Sequence, residues 1–136
     1  MSDIFLSYKS EDIDRAKLFV AALEQHGYSV WWDRTIPPGK TFEEVINKSM
    51  SLAKCVIVLW SRRSVLSDYV KEEAEEGKRK NILIPVLIDD VEIPYGFKRI
   101  EAAHLINWKG TLPDTEFDQL LKSVSEIVGR ASLPVR

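Results

Sequence analysis

"KCVIVLWSRRSVLSDYVKEEAEEGKRKNILIPVLI" (residues 54–88) joins two apolar runs through one charged, periodic stretch. "KCVIVLW" (54–60) is apolar on both faces, as a central strand of a parallel sheet should be. "ILIPVLI" (82–88) reads as another strand. Its Pro85 cannot donate to a ladder and so suggests a place near an edge or bulge. Between them "YVKEEAEEGK" (69–78) has helical periodicity and runs into "GKRKN", whose cations suit a helix C-terminus. Two parallel strands joined by a helix need a crossover of this length. The unit is β-α-β.

The same alternation extends in both directions. Upstream, "DIFLSY" (3–8) is a strand, "EDIDRAKLFVAALEQHG" (11–27) a helix stopped by Gly27, and "YSVWW" (28–32) a second strand. "DRTIPPGK" is a stiff, turn-rich loop, and "TFEEVINKSMSLA" a short helix with Thr41 as its N-cap. Downstream, "DDVEIPYGFKRIEA" reads as loop with one helical turn, "AHLINW" (103–108) as a short fifth strand, and "TEFDQLLKSVSEIVG" as a closing helix. Strict alternation implies an α/β fold, a five-stranded parallel sheet with helices on both faces and right-handed crossovers. The common strand order is the flavodoxin-like 2-1-3-4-5. It opens a crevice outside the carboxyl ends of strands 1 and 3, where "SYKSED", "DRTIPPGK" and "SRRSVLSDY" should meet.

One residue of the central unit is out of place. On a helix turning about 100° per residue, Leu66, Tyr69, Val70, Glu73, Ala74 and Gly77 share a stripe, while Glu72, Glu75 and Glu76 fall outside it. That stripe packs on the core, where a carboxylate is costly unless something requires it. Glu73 is either a functional acid facing the crevice or a buried acid paired with Lys9 or Arg34 or capping loop amides. A functional acid predicts that its removal is neutral or mildly stabilising; an ion pair predicts a large loss. In "WWDRTIPPGKTF" the adjacent tryptophans should send one ring inward and one outward, and Pro37-Pro38-Gly39 fixes a turn able to approach a flat ligand or a partner.

The totals narrow the field. At 136 residues, 45% hydrophobic and 29% charged, the chain is one globular domain, and its abrupt stop after "GRASLPVR" reads as a domain cut from a longer protein. A net charge of −2 and a pI near 5.7 argue against general nucleic-acid binding. The lone Cys55 can form neither an internal disulfide nor a zinc site and reads as a core thiol. No secretory leader and no apolar run of membrane-spanning length is visible, so a reducing cytoplasm is expected and no membrane partner. The chain has no Gly-rich phosphate loop, no aspartate closing strand 3 for phosphate acceptance, and no nucleophile–histidine set. His26 and His104 read as structural.

The ordered set "DIFLSYKSED", "GYSVWWDRTIPPGKTFEEVI", "CVIVLWSRRSVLSDYVKEEAEEG" and "LIPVLID" resembles the Toll/interleukin receptor (TIR) domain family, with wording most similar to its bacterial branch. The resemblance implies the flavodoxin-like topology already deduced. It also implies cleavage of NAD⁺ at the nicotinamide–ribose bond, as many members do, with NAD⁺ as substrate and no cofactor. Others only assemble. The family's W-x-x-x-E pattern falls on Tyr69 to Glu73, making Glu73 the implied catalytic acid. Tyr69 replaces the commoner tryptophan, at a place that bears on whether the product is linear or cyclised. By position Ser7, Tyr8 and Lys9 would line the crevice, with Lys9 toward the diphosphate. Trp32, Asp33 and the Ile36–Lys40 loop, including Pro38, Gly39 and Lys40, would flank the adenine side, and Ser64 the mouth. Self-association with other TIR domains would order the loop and activate the enzyme, in immune defence or virulence. The alternatives are a non-catalytic TIR adaptor and a nucleotide-binding module without turnover.

Overall fold

The computed structural model describes residues 3–131. β1 (Ile4–Ser7), α1 (Ile13–Gln25), β2 (Val30–Trp31), α2 (Phe42–Leu52), β3 (Cys55–Trp60), α3 (Asp68–Arg79), β4 (Leu83–Leu87), β5 (Ala103–His104) and α4 (Thr115–Ala131) follow in that order. Single 3-10 turns, Ser10–Asp12 and Ser64–Leu66, precede α1 and α3. The sheet is parallel, in the order β2-β1-β3-β4-β5. This is the five-stranded, flavodoxin-like α/β architecture read from the alternation.

Strand alternation sorts the core into two layers. Ile4, Leu6, Tyr8, Cys55, Ile57 and Leu59 pack beneath α1 and α4, with Phe19, Leu23, Phe117 and Leu120. Phe5, Val56, Val58 and Trp60 face α2 and α3, with Met50, Val70 and Ala74. Ser7 continues the second series, so its hydroxyl points at α3 as Tyr8 points away. α3 lies close on the sheet because Gly77 has no side chain: a Cβ there would stand 2.9 Å from Val56 Cβ. α2 is started by a capping box in which Thr41 Oγ1 accepts from the Glu44 amide and the Glu44 carboxylate accepts from the Thr41 amide. Cys55 is wholly buried, and burial pushes its thiol up to about 12.

Several expectations are corrected. Leu66, placed in the buried stripe, is 79% exposed. It belongs to the 3-10 turn, and the helix starts after Ser67, whose Oγ accepts from the Val70 amide. The 89–102 segment holds two hydrogen-bonded turns, Phe97 N to Pro94 O and Ile100 N to Phe97 O, but no helix, and the fifth strand is two residues rather than six. There the chain bends at Asn107, φ 63°, so that Trp108 can stack on Phe117. β1 and β2 are also shorter than their apolar runs. The paired tryptophans do not divide into inward and outward: Trp31 stacks on Phe5 at 4.8 Å, and Trp32 packs against the opposite layer. Pro85 is tolerated because β4 pairs with β5 only through Val86 and Leu87, leaving the Pro85 end open on that side. Among the described residues, no helix is long and apolar enough to cross a membrane.

Candidate functional site

The 3.6-residue repeat places Glu73 one turn after Tyr69, on the face of α3 that meets β1. Glu73 is 6% exposed. Its Oε1 accepts from Ser7 Oγ at 2.7 Å and from Arg34 Nη2 at 3.0 Å, and its Oε2 from Arg34 Nη1 at 2.7 Å. The pair is bidentate, the strongest geometry open to an arginine and a carboxylate. Of the two cations the sequence offered, Arg34 is the partner. Lys9 instead lies 5.3 Å from the Tyr69 ring centre and 3.7 Å from the Glu11 carboxylate.

Arg34 is held from every side. Nη2 also donates to the Leu6 carbonyl, and the guanidinium lies 4.7 Å from the Trp31 ring centre, 5.1 Å from Phe5 and 5.4 Å from Tyr8. Burial raises the Tyr8 phenol, an effect the Arg34 charge opposes. Tyr8 Oη donates to the Trp32 carbonyl at 2.7 Å, tying β1 to the start of the loop after β2. Sequence reading named Arg34 only as a possible partner. Its place among three rings needs the sheet to bring Phe5, Tyr8 and Trp31 together.

Glu73 also lines a groove of about 690 Å³ between α2 and α3. Tyr69 lines it from α3; Phe42, Ile46 and Met50 line it from α2. Phe42 is 51% exposed at the first position of its helix. The sequence reading missed these α2 residues, although their i, i+4, i+8 spacing marks one apolar stripe.

The remaining candidates scatter. Ser7 bonds Glu73 and the Tyr8 ring faces Arg34, while Lys9 and Tyr69 sit beside them, Tyr69 bonding the backbone on either side of Lys9. Asp33 is exposed and turned to its own loop, accepting from the Thr35 amide and hydroxyl, which holds it below the usual carboxylate range. Ile36 is half-buried, while Pro38, Gly39 and Lys40 are exposed around a turn closed from Lys40 N to Pro37 O, with Gly39 at φ 85°. Ser64 is wholly buried, away from any mouth. Its hydroxyl donates to the Leu59 carbonyl and accepts from the Ser61 amide. It belongs to a separate network that fills the α1 side of the sheet's carboxyl end. There Asp12, 2% exposed, accepts from Ser61 Oγ and Arg15, and Arg15 also pairs with Asp89. Arg15 holds Asp89 below the usual carboxylate range.

Comparison places this geometry among known folds. The TIR domain family model matches residues 4–121. No curated protein matches the chain. The TIR domain of the Toll-related receptor TRR-2 from Hydra magnipapillata superposes with a TM-score of 0.77 at 20% identity, covering 91% of this chain and 98% of that one. A metazoan TIR-STING receptor from C. gigas, solved with 2',3'-cGAMP, gives a TM-score of 0.74 at 22% identity, covering 92% of this chain and 40% of that receptor. The TIR domains of the activated Roq1 resistosome give 0.55 at 20% identity, covering 95% of this chain and 84% of that one. With most of its length matched by the family model, the chain belongs to the TIR domain family.

Proposed function

We propose that the chain is an NAD⁺ nucleosidase whose catalytic acid is Glu73 and whose activity depends on self-association. The observation that carries this reading is a carboxylate buried on the face of α3, one turn beyond an aromatic, that still borders an open groove. In the reaction the C1′–N bond breaks, its electron pair leaves with neutral nicotinamide, and the ribose becomes oxocarbenium-like. Water adding at C1′ then releases a proton. A carboxylate in a water-poor site stabilises the developing cation. Because nicotinamide leaves as a neutral base, no second carboxyl is needed as general acid, unlike ordinary glycosidases. Lys9 is assigned to the diphosphate and the Ile36–Lys40 loop to the adenine side; Trp32, packed against the α1 layer, and Asp33, turned to Thr35, are left out of that set.

Arg34 explains the dependence on assembly. A guanidinium 2.7 Å from Glu73 opposes a second cation at the same carboxylate and, with the Ser7 hydroxyl, fills about three of its four acceptor positions. The arrangement is therefore a resting one. Turnover requires Arg34 to leave, and it is carried by the exposed loop that a neighbouring domain would contact. Self-association supplies the free energy by binding the open form more tightly.

The same bidentate pair favours a second reading, a non-catalytic interaction module in which Glu73 only anchors the loop. Incubating concentrated, bead-tethered domain with NAD⁺ and resolving nicotinamide and ADP-ribose species by chromatography separates them. The enzyme releases nicotinamide and its Glu73→Gln variant does not; no nicotinamide from the tethered wild type assigns the domain to assembly alone.

A further inference from the structure

We infer that the phenol oxygen of Tyr69 is a positioning group for the candidate site, tying the segment that carries Lys9 to the helix that carries Glu73. Tyr69 Oη donates to the Tyr8 carbonyl at 3.0 Å and accepts from the Ser10 amide at 3.2 Å. One oxygen thus bridges the backbone on both sides of Lys9. The bridge requires a group that both donates and accepts. The indole of the family's commoner tryptophan donates only, and phenylalanine does neither. Tyrosine at this position therefore supplies a link that neither tryptophan nor phenylalanine can.

The link closes a circuit. Tyr8, gripped through its carbonyl by Tyr69, uses its own hydroxyl to hold the Trp32 carbonyl, two residues before Arg34. Arg34 returns to Glu73, one turn from Tyr69 on the same helix. Within the circuit the Lys9 ammonium is kept over the Tyr69 ring. Glu73 has its own support in Ser7, which stays when Arg34 leaves, so Tyr69 Oη acts on Lys9 rather than on the acid. This inference rests on the NAD⁺ reading insofar as Lys9 meets the diphosphate: a cation held in place before binding favours substrate capture over bond breaking.

Tyr69→Phe, with the ring kept, is the test. In tethered protein KM for NAD⁺ should rise about fivefold, the scale of one neutral hydrogen bond, with kcat within about twofold. Lys9→Met should raise KM too, and Tyr69→Phe should add little in that background, since both act through one ammonium. An unchanged KM, a loss confined to kcat, or fully additive effects would overturn the inference. Amide exchange reads the tether without turnover: Tyr69→Phe should speed exchange at Ser10 at least about tenfold, as an amide that loses its partner opens locally. Should tethered wild type prove inactive, the NAD⁺ reading falls and exchange alone decides: faster exchange keeps the tether, unchanged exchange removes it.

Discussion

Replacing Glu73 removes one charge and leaves another behind. Arg34, its side chain 17% exposed, would keep the Leu6 carbonyl and three rings but lose the one carboxylate that it pairs with among the described residues. Glu73→Ala should therefore lower stability by about 3 kcal/mol, the scale for breaking a buried pair from one side. Of the two outcomes the sequence left open, the bidentate pair favours the destabilising one. NAD⁺ cleavage should fall at least about a hundredfold, as when one preorganised electrostatic group is lost. Glu73→Gln, which still offers Arg34 an oxygen, should lose as much activity with a smaller drop in melting temperature. Glu72→Ala and Glu75→Ala, at exposed positions, should keep most of the turnover. Comparable losses at all three sites would show that the acidic helix acts as a whole. Glu73 could be singled out by periodicity alone; that its partner is Arg34 rather than Lys9 could not.

At the scale of elements, α3 and the loop after β2 respond differently to change. Gly77→Ala gains helix propensity of about 1 kcal/mol, but its Cβ would meet Val56 Cβ at 2.9 Å, with the two γ-carbons at 3.1 and 3.2 Å. Val56 is wholly buried in β3 and cannot step aside. Overpacking of this kind costs about 1–3 kcal/mol, so thermal unfolding should come earlier. A raised melting temperature would mean that α3 floats more freely on the sheet. Gly39→Pro acts on the loop instead. Its φ of 85° is closed to proline, so the turn should be lost and clustering-dependent cleavage with it. The loop is exposed, and the melting temperature should hardly move. A collapsed thermal transition would show that the turn supports the core.

The whole molecule supplies the regulation proposed for the site. If Arg34 leaves Glu73 only when neighbouring domains capture the loop, cleavage per molecule should rise with surface density. On that reading only the assembled fraction would be competent. Arg34→Gln keeps a donor for Glu73 but removes the opposing charge. It should raise activity in dilute solution and shrink the ratio of dense to dilute rates. A flat specific activity from dilute to densely immobilised wild type would remove the self-association step. An unchanged ratio in Arg34→Gln would acquit Arg34 and place the control elsewhere.

What the sequence determined is local and periodic. Apolar runs alternating with amphipathic stretches carry the parallel sheet, because a strand buried on both faces and a crossover helix each leave a pattern readable over a few residues; its order is expected only as the common one for five such strands. "TFEE" carries its capping box, and the helical repeat of α3 carries Glu73. The tertiary structure decided what depends on distant segments meeting. Arg34 finds Glu73 across 39 positions and is ringed by aromatics from β1 and β2. Ser64 is drawn into a network with Asp12 rather than a mouth. β5 stops after two residues, and the chain turns at Asn107 to bring Trp108 onto Phe117. Periodicity tells which face of an element is buried; only the packed chain tells what that face is buried against.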